Sequence, residues 1–204
     1  MLLYIHGFNS SPASFKASLL RQYVASQNKS DCLFIPCLSG VPEQAMAQLT
    51  ALIESVIAQT TKKIGQPIGL IGSSLGGYYA TWLAEQYDCR AVLVNPAVRP
   101  YDLLENYLGE NVNYYTGERY PLTVEHIEQL RRMDVTKITK PDRYLLMLQT
   151  GDDILDYKLA MEKYPGVPSI VEEGGGHEFM GFDRHLETVL AFCGINPLKN
   201  IPRI

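Results

Sequence analysis

The chain has 204 residues, 46% of them apolar and 20% charged, with a formal net charge of −4. That length lets one domain close a hydrophobic core without disulfide or metal staples, and the ordinary composition excludes global disorder. The acidic balance speaks against a nucleic-acid binder, and no apolar run reaches the roughly 18 residues of a membrane span. Cys32, Cys37, Cys89 and Cys193 are too few and too scattered for a disulfide scaffold, so mostly buried free thiols are expected. No basic segment precedes the first apolar run, so no signal peptide is expected and the cytoplasm is the expected compartment.

Leu2–Ile5 is a short apolar run stopped by His6-Gly7 and predicts a strand. Over residues 14–24, Phe15, Leu19, Leu20 and Val24 form a helical stripe. Residues 32–38 predict a second strand, with Pro36 near its end; Cys32 and Cys37 would then point to opposite faces and not bridge. Pro42–Thr60 predicts a long helix, with Met46, Leu49, Ile53 and Val56 in its apolar stripe. Strand, helix and strand follow over residues 67–71, 75–86 and 91–94, the last broken by Asn95-Pro96. A fifth strand is expected over residues 144–148, a helix over Tyr157–Lys163, a sixth strand over residues 168–171 and a last helix from about His185 to Phe192. The tail, with Pro197 and Pro202, should be irregular. Alternating strands and helices with continuous apolar runs imply an α/β fold and a mainly parallel six-stranded sheet covered on both faces.

Residues 99–139 break this rhythm, with no strand expected and many tyrosines. A helix is expected from Val124 to Met133, with Thr123 as its N-cap and Val124, Ile127 and Leu130 along one face. A structureless loop of this length is uncommon in a compact domain, so the segment reads as a short helical cap inserted into a single domain spanning residues 1–204. Arg99, Arg119, Arg131, Arg132, Lys137 and Lys140 put positive charge near it, expected to be an ordinary solvated face.

The chemistry centres on Gly72-Ser73-Ser74-Leu75-Gly76, a G-x-S-x-G pattern between an apolar strand and a helix. Small neighbours let Ser74 occupy a tight turn with its hydroxyl standing clear of the sheet. A serine needs a base, and His177 sits in a glycine-rich loop, Gly174-Gly175-Gly176, after the sixth strand. His126 and His185 read as surface residues, and His6 follows the first strand. The acid that orients the histidine should follow the fifth strand; Asp152 is preferred, then Asp153, then Asp156, which has a ready role as an N-cap. Backbone N–H groups of Leu75 and Phe8 are the candidate oxyanion donors, and Asn9 and Tyr115 are candidate substrate-binding residues. No metal-ligand spacing, phosphate loop or dinucleotide fingerprint appears, so no cofactor or metal is expected.

At Tyr4-Ile5-His6-Gly7-Phe8-Asn9, Gly72-Ser73-Ser74-Leu75-Gly76-Gly77, Asn95-Pro96-Ala97, Gln149-Thr150-Gly151-Asp152 and Gly174-Gly175-Gly176-His177 the sequence resembles the α/β-hydrolase superfamily, and more narrowly the small YqiA-type bacterial esterases. The resemblance implies a three-layer α/β-hydrolase fold with strand order 2-1-3-4-5-6 and a triad of Ser74, Asp152 and His177. It also implies a cytoplasmic enzyme acting on acyl esters or acyl-CoA thioesters. Two departures from larger hydrolases stand out: the usual first two strands are missing, and the Gly-x-x-Asp spacing before the acid is shortened to Gly151-Asp152. The expected function is a serine hydrolase of small acyl esters or thioesters. An amidase or peptidase, or a non-catalytic binding protein on the same fold, are the alternatives. Neither a nucleic-acid nor a membrane partner is expected.

Overall fold

A computed structural model describes residues 1–60 and 68–195. Strand β1 (Leu2–Ile5) leads to α1 (Phe15–Ser26), β2 (Leu33–Phe34), α2 (Pro42–Thr60), β3 (Gly69–Ser73), α3 (Leu75–Tyr87) and β4 (Arg90–Val94). Then come α4 (Pro100–Leu104), β5 (Gly109–Val112), β6 (Arg119–Leu122), α5 (Val124–Arg132), β7 (Tyr144–Gln149), α6 (Tyr157–Lys163), β8 (Ser169–Glu172) and α7 (Leu186–Phe192). The main sheet is entirely parallel, in the order β2-β1-β3-β4-β7-β8.

Alternation along each strand splits the core into two layers. Leu3, Ile5, Leu70, Leu93 and Leu146 pack against α2 and α3, while Leu2, Tyr4, Ile71, Val92 and Met147 pack against α1 and α7. Both faces of the central strands β1, β3, β4 and β7 are therefore buried, which is why these strands read as apolar runs, while the edge strands β2 and β8 stay partly exposed. Parallel pairing also puts every strand's C-terminal end on one side, where ligands bind in open α/β sheets.

Four expectations are corrected. The strand expected over residues 32–38 pairs only at Leu33 and Phe34, after a 3₁₀ turn at Ser30–Cys32. It lies at the sheet edge, Pro36 offers no ladder N–H, and the Leu38 N–H donates instead to Nε2 of His6 at 3.2 Å. The opposite-face argument for Cys32 and Cys37 lapses with the strand, and the thiols are less buried than expected. All four are free, but only Cys89 and Cys193 are buried, Cys32 is half-buried and Cys37 is exposed. The segment between β4 and β7 contains an antiparallel hairpin, β5–β6, where no strand was expected. Its strands are short and largely exposed, so they carry no apolar run. The turn is made by the Asn113 side chain, which accepts from the N–H groups of Tyr115 and Thr116, and by Gly117 at φ +72°. In α5, Thr123 caps as expected through a reciprocal bond with His126, but Val124 is 64% exposed while Ile127 and Leu130 are buried. Pro67, Pro197 and Pro202 lie outside the described residues.

The β1, β3 and α3 backbones meet at Gly72 and Gly76. A methyl group on Gly76 would overlap the Ile5 carbonyl oxygen, and one on Gly72 the Gly76 carbonyl. Both clashes are with backbone that cannot rotate away. Gly76→Ala is expected to cost about 3 kcal/mol or more. Chemical denaturation checks this; a loss under about 1 kcal/mol would mean that the β1–α3 contact can open without consequence.

Candidate active site

Ser74 sits at the junction of β3 and α3 with φ +56° and ψ −123°. A non-glycine residue there costs about 1–3 kcal/mol and persists only where its surroundings hold it. Here the Ser74 N–H donates to the Val94 carbonyl at 3.1 Å, and the Ser74 carbonyl accepts from Gly77 and Ala97 at 2.9 and 3.0 Å. The turn aims the hydroxyl at the carboxyl end of the sheet. His177 Nε2 stands 3.1 Å from the Ser74 Oγ, and His177 Nδ1 stands 2.8 Å from Oδ2 of Asp152. The three residues follow β3, β7 and β8, so three strand ends converge on one hydrogen-bonded chain.

Asp152 is selected over its neighbours by geometry. Its side chain is 2% exposed, and its Oδ1 accepts from the N–H groups of Ile154 and Leu155, both at 2.9 Å. Burial, the largest influence, pushes its carboxyl up; the bonds from His177, Leu155 and Ile154 together outweigh it and hold the group below the ordinary carboxylate value. An ionised Asp152 can only accept, so Nδ1 of His177 carries the proton and Nε2 is left to accept from Ser74. Asp153 is exposed, and Asp156 caps α6 by accepting from the Lys158 N–H at 2.9 Å.

The loop carrying His177 is held by two buried amides. Asn95 Nδ2 donates to the carbonyls of Gly176 and His177 at 3.0 and 3.1 Å, while its Oδ1 accepts from the Gln149 N–H. Gln149 Oε1 accepts from the N–H groups of Gly176 and Met180 at 3.0 and 2.8 Å. Sequence reasoning missed both as positioning residues. The available signals were a polar residue closing the apolar run of β7 and an asparagine directly after β4; Asn95 adopts φ +40°. His185, expected on the surface, is half-buried: its Nε2 lies 2.9 Å from Glu172 and its ring meets Phe179 edge-on.

On the other side of Ser74 lies the loop after β1. A methyl at Gly7 would meet the Ser74 Cβ at 3.0 Å, so glycine there permits close approach of the backbone. Among the described residues, neither the Phe8 nor the Leu75 N–H donates to a protein acceptor. The Leu75 amide is the first of α3, a helix start with unpaired donors. Asn9, at φ +50°, lines the cavity, but its Oδ1 is taken by the Tyr120 hydroxyl at 2.6 Å. Asn113 Nδ2 donates to the Ser10 carbonyl at 2.9 Å and the Tyr114 N–H to the Asn9 carbonyl at 3.3 Å, so the β5–β6 hairpin is tied to this loop by three hydrogen bonds. Tyr115 is half exposed at the cavity rim.

His6 braces the same loop. Its Nδ1 lies 3.0 Å from the Gly7 carbonyl and its Nε2 accepts from Leu38, a pattern that only the neutral ring satisfies. Burial lowers its pKa from the ordinary 6.5, against the pull of the Gly7 carbonyl. The unfolded chain takes up a proton near 6.5 that the folded chain refuses. Stability is therefore complete above that pH and is lost as pH falls through 6.5 toward the folded value. Denaturation midpoints from pH 8 to pH 5 should decline for wild type. For His6→Asn they should start lower and decline less; parallel curves would contradict this account.

Ser74 opens into a cavity of about 450 Å³. Its lining includes an apolar set, Leu103, Leu104, Tyr107, Ile154 and Leu155, and also Tyr4, Ser14, Lys16 and Glu178. The basic residues of the insertion are largely paired: Arg131 with Glu105, Arg132 with Glu125 and Lys140 with Asp88. Among the described residues, no cluster of His, Cys, Asp or Glu could hold a metal ion, and no helix is long and apolar enough to cross a membrane.

The model of the Uncharacterised protein family (UPF0227) matches residues 1–194. A UPF0227 protein of Citrobacter koseri is 26% identical over 194 residues, covering 94% of this chain and 98% of the relative. Among solved structures, the mouse α/β-hydrolase domain-containing protein 10 superposes with a TM-score of 0.58 at 18% identity, covering 95% of this chain and 87% of that one. A monoacylglycerol lipase of Paleococcus ferrophilus superposes with a TM-score of 0.62 at 15% identity, covering 94% of each chain. These likenesses establish the fold as that of an α/β-hydrolase.

Proposed function

The chain belongs to the UPF0227 family, and on that premise we propose that it is a serine hydrolase of carboxylic esters. The observation that carries this reading is the unbroken hydrogen-bond chain from Ser74 through His177 to Asp152 at the mouth of a cavity. The Paleococcus ferrophilus protein of the same fold is a monoacylglycerol lipase, and that ester chemistry favours the same reading here.

In this mechanism Ser74 Oγ attacks the ester carbonyl carbon while His177 Nε2 takes its proton. Asp152 stabilises the imidazolium that forms. The carbonyl oxygen becomes an oxyanion, received by the N–H groups of Leu75 and Phe8. Collapse breaks the ester C–O bond, and His177 returns the proton to the departing alcohol. A water then gives its proton to His177 and attacks the acyl carbon; the bond from that carbon to Ser74 Oγ breaks, His177 returns the proton to Oγ, and the acid leaves.

Residues 1–204 act as a single hydrolase domain, with the insertion at about 99–139 as a cap that shields the acyl group from water. The apolar lining favours esters over coenzyme A thioesters, because the basic residues that would grip the polyanionic tail are largely committed to nearby carboxylates. The four free cysteines fit a reducing cytoplasm.

A series of p-nitrophenyl esters from two-carbon to long acyl chains tests the reading. Turnover should rise with chain length, by up to about 0.8 kcal/mol per methylene, until the cavity is full. A wild type inert across the series would contradict it and move weight to a ligand-binding role.

A further inference from the structure

Lys16 is a charge that the mechanism above does not use. It is the second residue of α1, is 9% exposed and contributes to the lining of the Ser74 cavity. Its ammonium makes one hydrogen bond among the described residues, to the carbonyl of Glu178 at 2.7 Å, one residue beyond His177. An ammonium has three donors, so two remain. Taking such a group out of water is costly unless it is paired. The carboxylates of Glu178 and Asp152 attract it, yet burial prevails and draws its pKa down to about 8. Asp152 is engaged by His177 and two amides, and Glu178 is an exposed residue, so neither is a close, dry partner.

Resting on the hydrolase reading, we propose that Lys16 is a binding residue for a carboxylate carried by the substrate, so that the preferred esters are amphipathic, with a carboxylate toward α1 and an apolar portion against the insertion. Two spare N–H donors on a single cation match one carboxylate. Apart from Lys16 and His177, the lining residues carry no basic side chain, so the wall is not built for a phosphate dianion. Leu103, Leu104 and Tyr107 of the insertion line the same cavity and offer apolar contact to the rest of the molecule.

The test compares p-nitrophenyl monoesters of six- to eight-carbon dicarboxylic acids with the neutral p-nitrophenyl esters of equal length. It uses wild type, Lys16→Met and Lys16→Arg, each first shown folded by thermal melting. Wild type should prefer one carboxylate ester over its neutral partner. Lys16→Met should lose about 10- to 100-fold in kcat/KM on that ester, chiefly in KM, and less than about 3-fold on the neutral one. Lys16→Arg should keep most of the preference. Equal losses on both substrates, confined to kcat, would overturn the proposal and make Lys16 a brace for the His177 loop. No preference in wild type would overturn it as well. Calorimetric binding of monomethyl suberate to Ser74→Ala, with and without Lys16→Met, gives a readout independent of turnover. A ten-fold weaker affinity without Lys16 supports the carboxylate site even if the serine mechanism fails, and an unchanged affinity overturns it.

Discussion

Ser74→Ala should lower kcat/KM on a p-nitrophenyl ester by at least about 10⁴-fold, and His177→Ala should do nearly the same. Each removes one half of a single act: without the hydroxyl no acyl-enzyme forms, and without the imidazole the hydroxyl keeps its proton. Because the 3.1 Å contact joins them into one unit, the double variant should fall little further than either single variant. Melting temperatures should stay close to wild type for Ser74→Ala. The backbone at Ser74 is held by Val94, Gly77 and Ala97 through main-chain bonds that alanine retains. Parallel rate assays and melts check this, and additive losses in the double variant would mean that the two residues act separately.

The second large effect separates three adjacent acids. Asp152→Asn should reduce kcat/KM by about 10³- to 10⁴-fold. Asparagine fits the same space and can still accept from Ile154 and Leu155 through Oδ1. Its amide nitrogen, however, would face Nδ1 of His177 as a donor and favour the tautomer protonated on Nε2. That tautomer cannot accept the Ser74 proton. Asp153→Asn, at an exposed position, should change the rate less than about 3-fold. Asp156→Ala should cost about 1 kcal/mol of stability through the α6 cap, with little effect on rate. A collapse in Asp153→Asn with Asp152→Asn active would reassign the acid.

The sheet was legible because burial on both faces writes itself as continuous apolar runs, and its observed order matches the expected order for six parallel strands. The elbow was legible for a different reason: Gly72 and Gly76 are demanded by backbone contacts so close that a side chain would collide with main chain. The Asp152 carboxylate could only be ranked, since Asp153 lies one bond away in sequence and differs by direction alone. The hairpin escaped because its order comes from Asn113 and Tyr120 reaching the loop after β1, not from a hydrophobic period. Lys16, Asn95 and Gln149 escaped for the same physical reason. Each is polar in a segment whose local pattern is already explained, and its role exists only once β8 brings the His177 loop beside it.

The central claim is that Ser74 is an activated nucleophile. The most direct measurement is intact-protein and peptide mass spectrometry after treatment with an alkyl fluorophosphonate, which transfers its phosphonyl group to such a hydroxyl with loss of fluoride. One adduct per chain, on the peptide containing Ser74 and absent in Ser74→Ala, is the predicted result. An unmodified wild type, or an adduct that persists in Ser74→Ala, would contradict it.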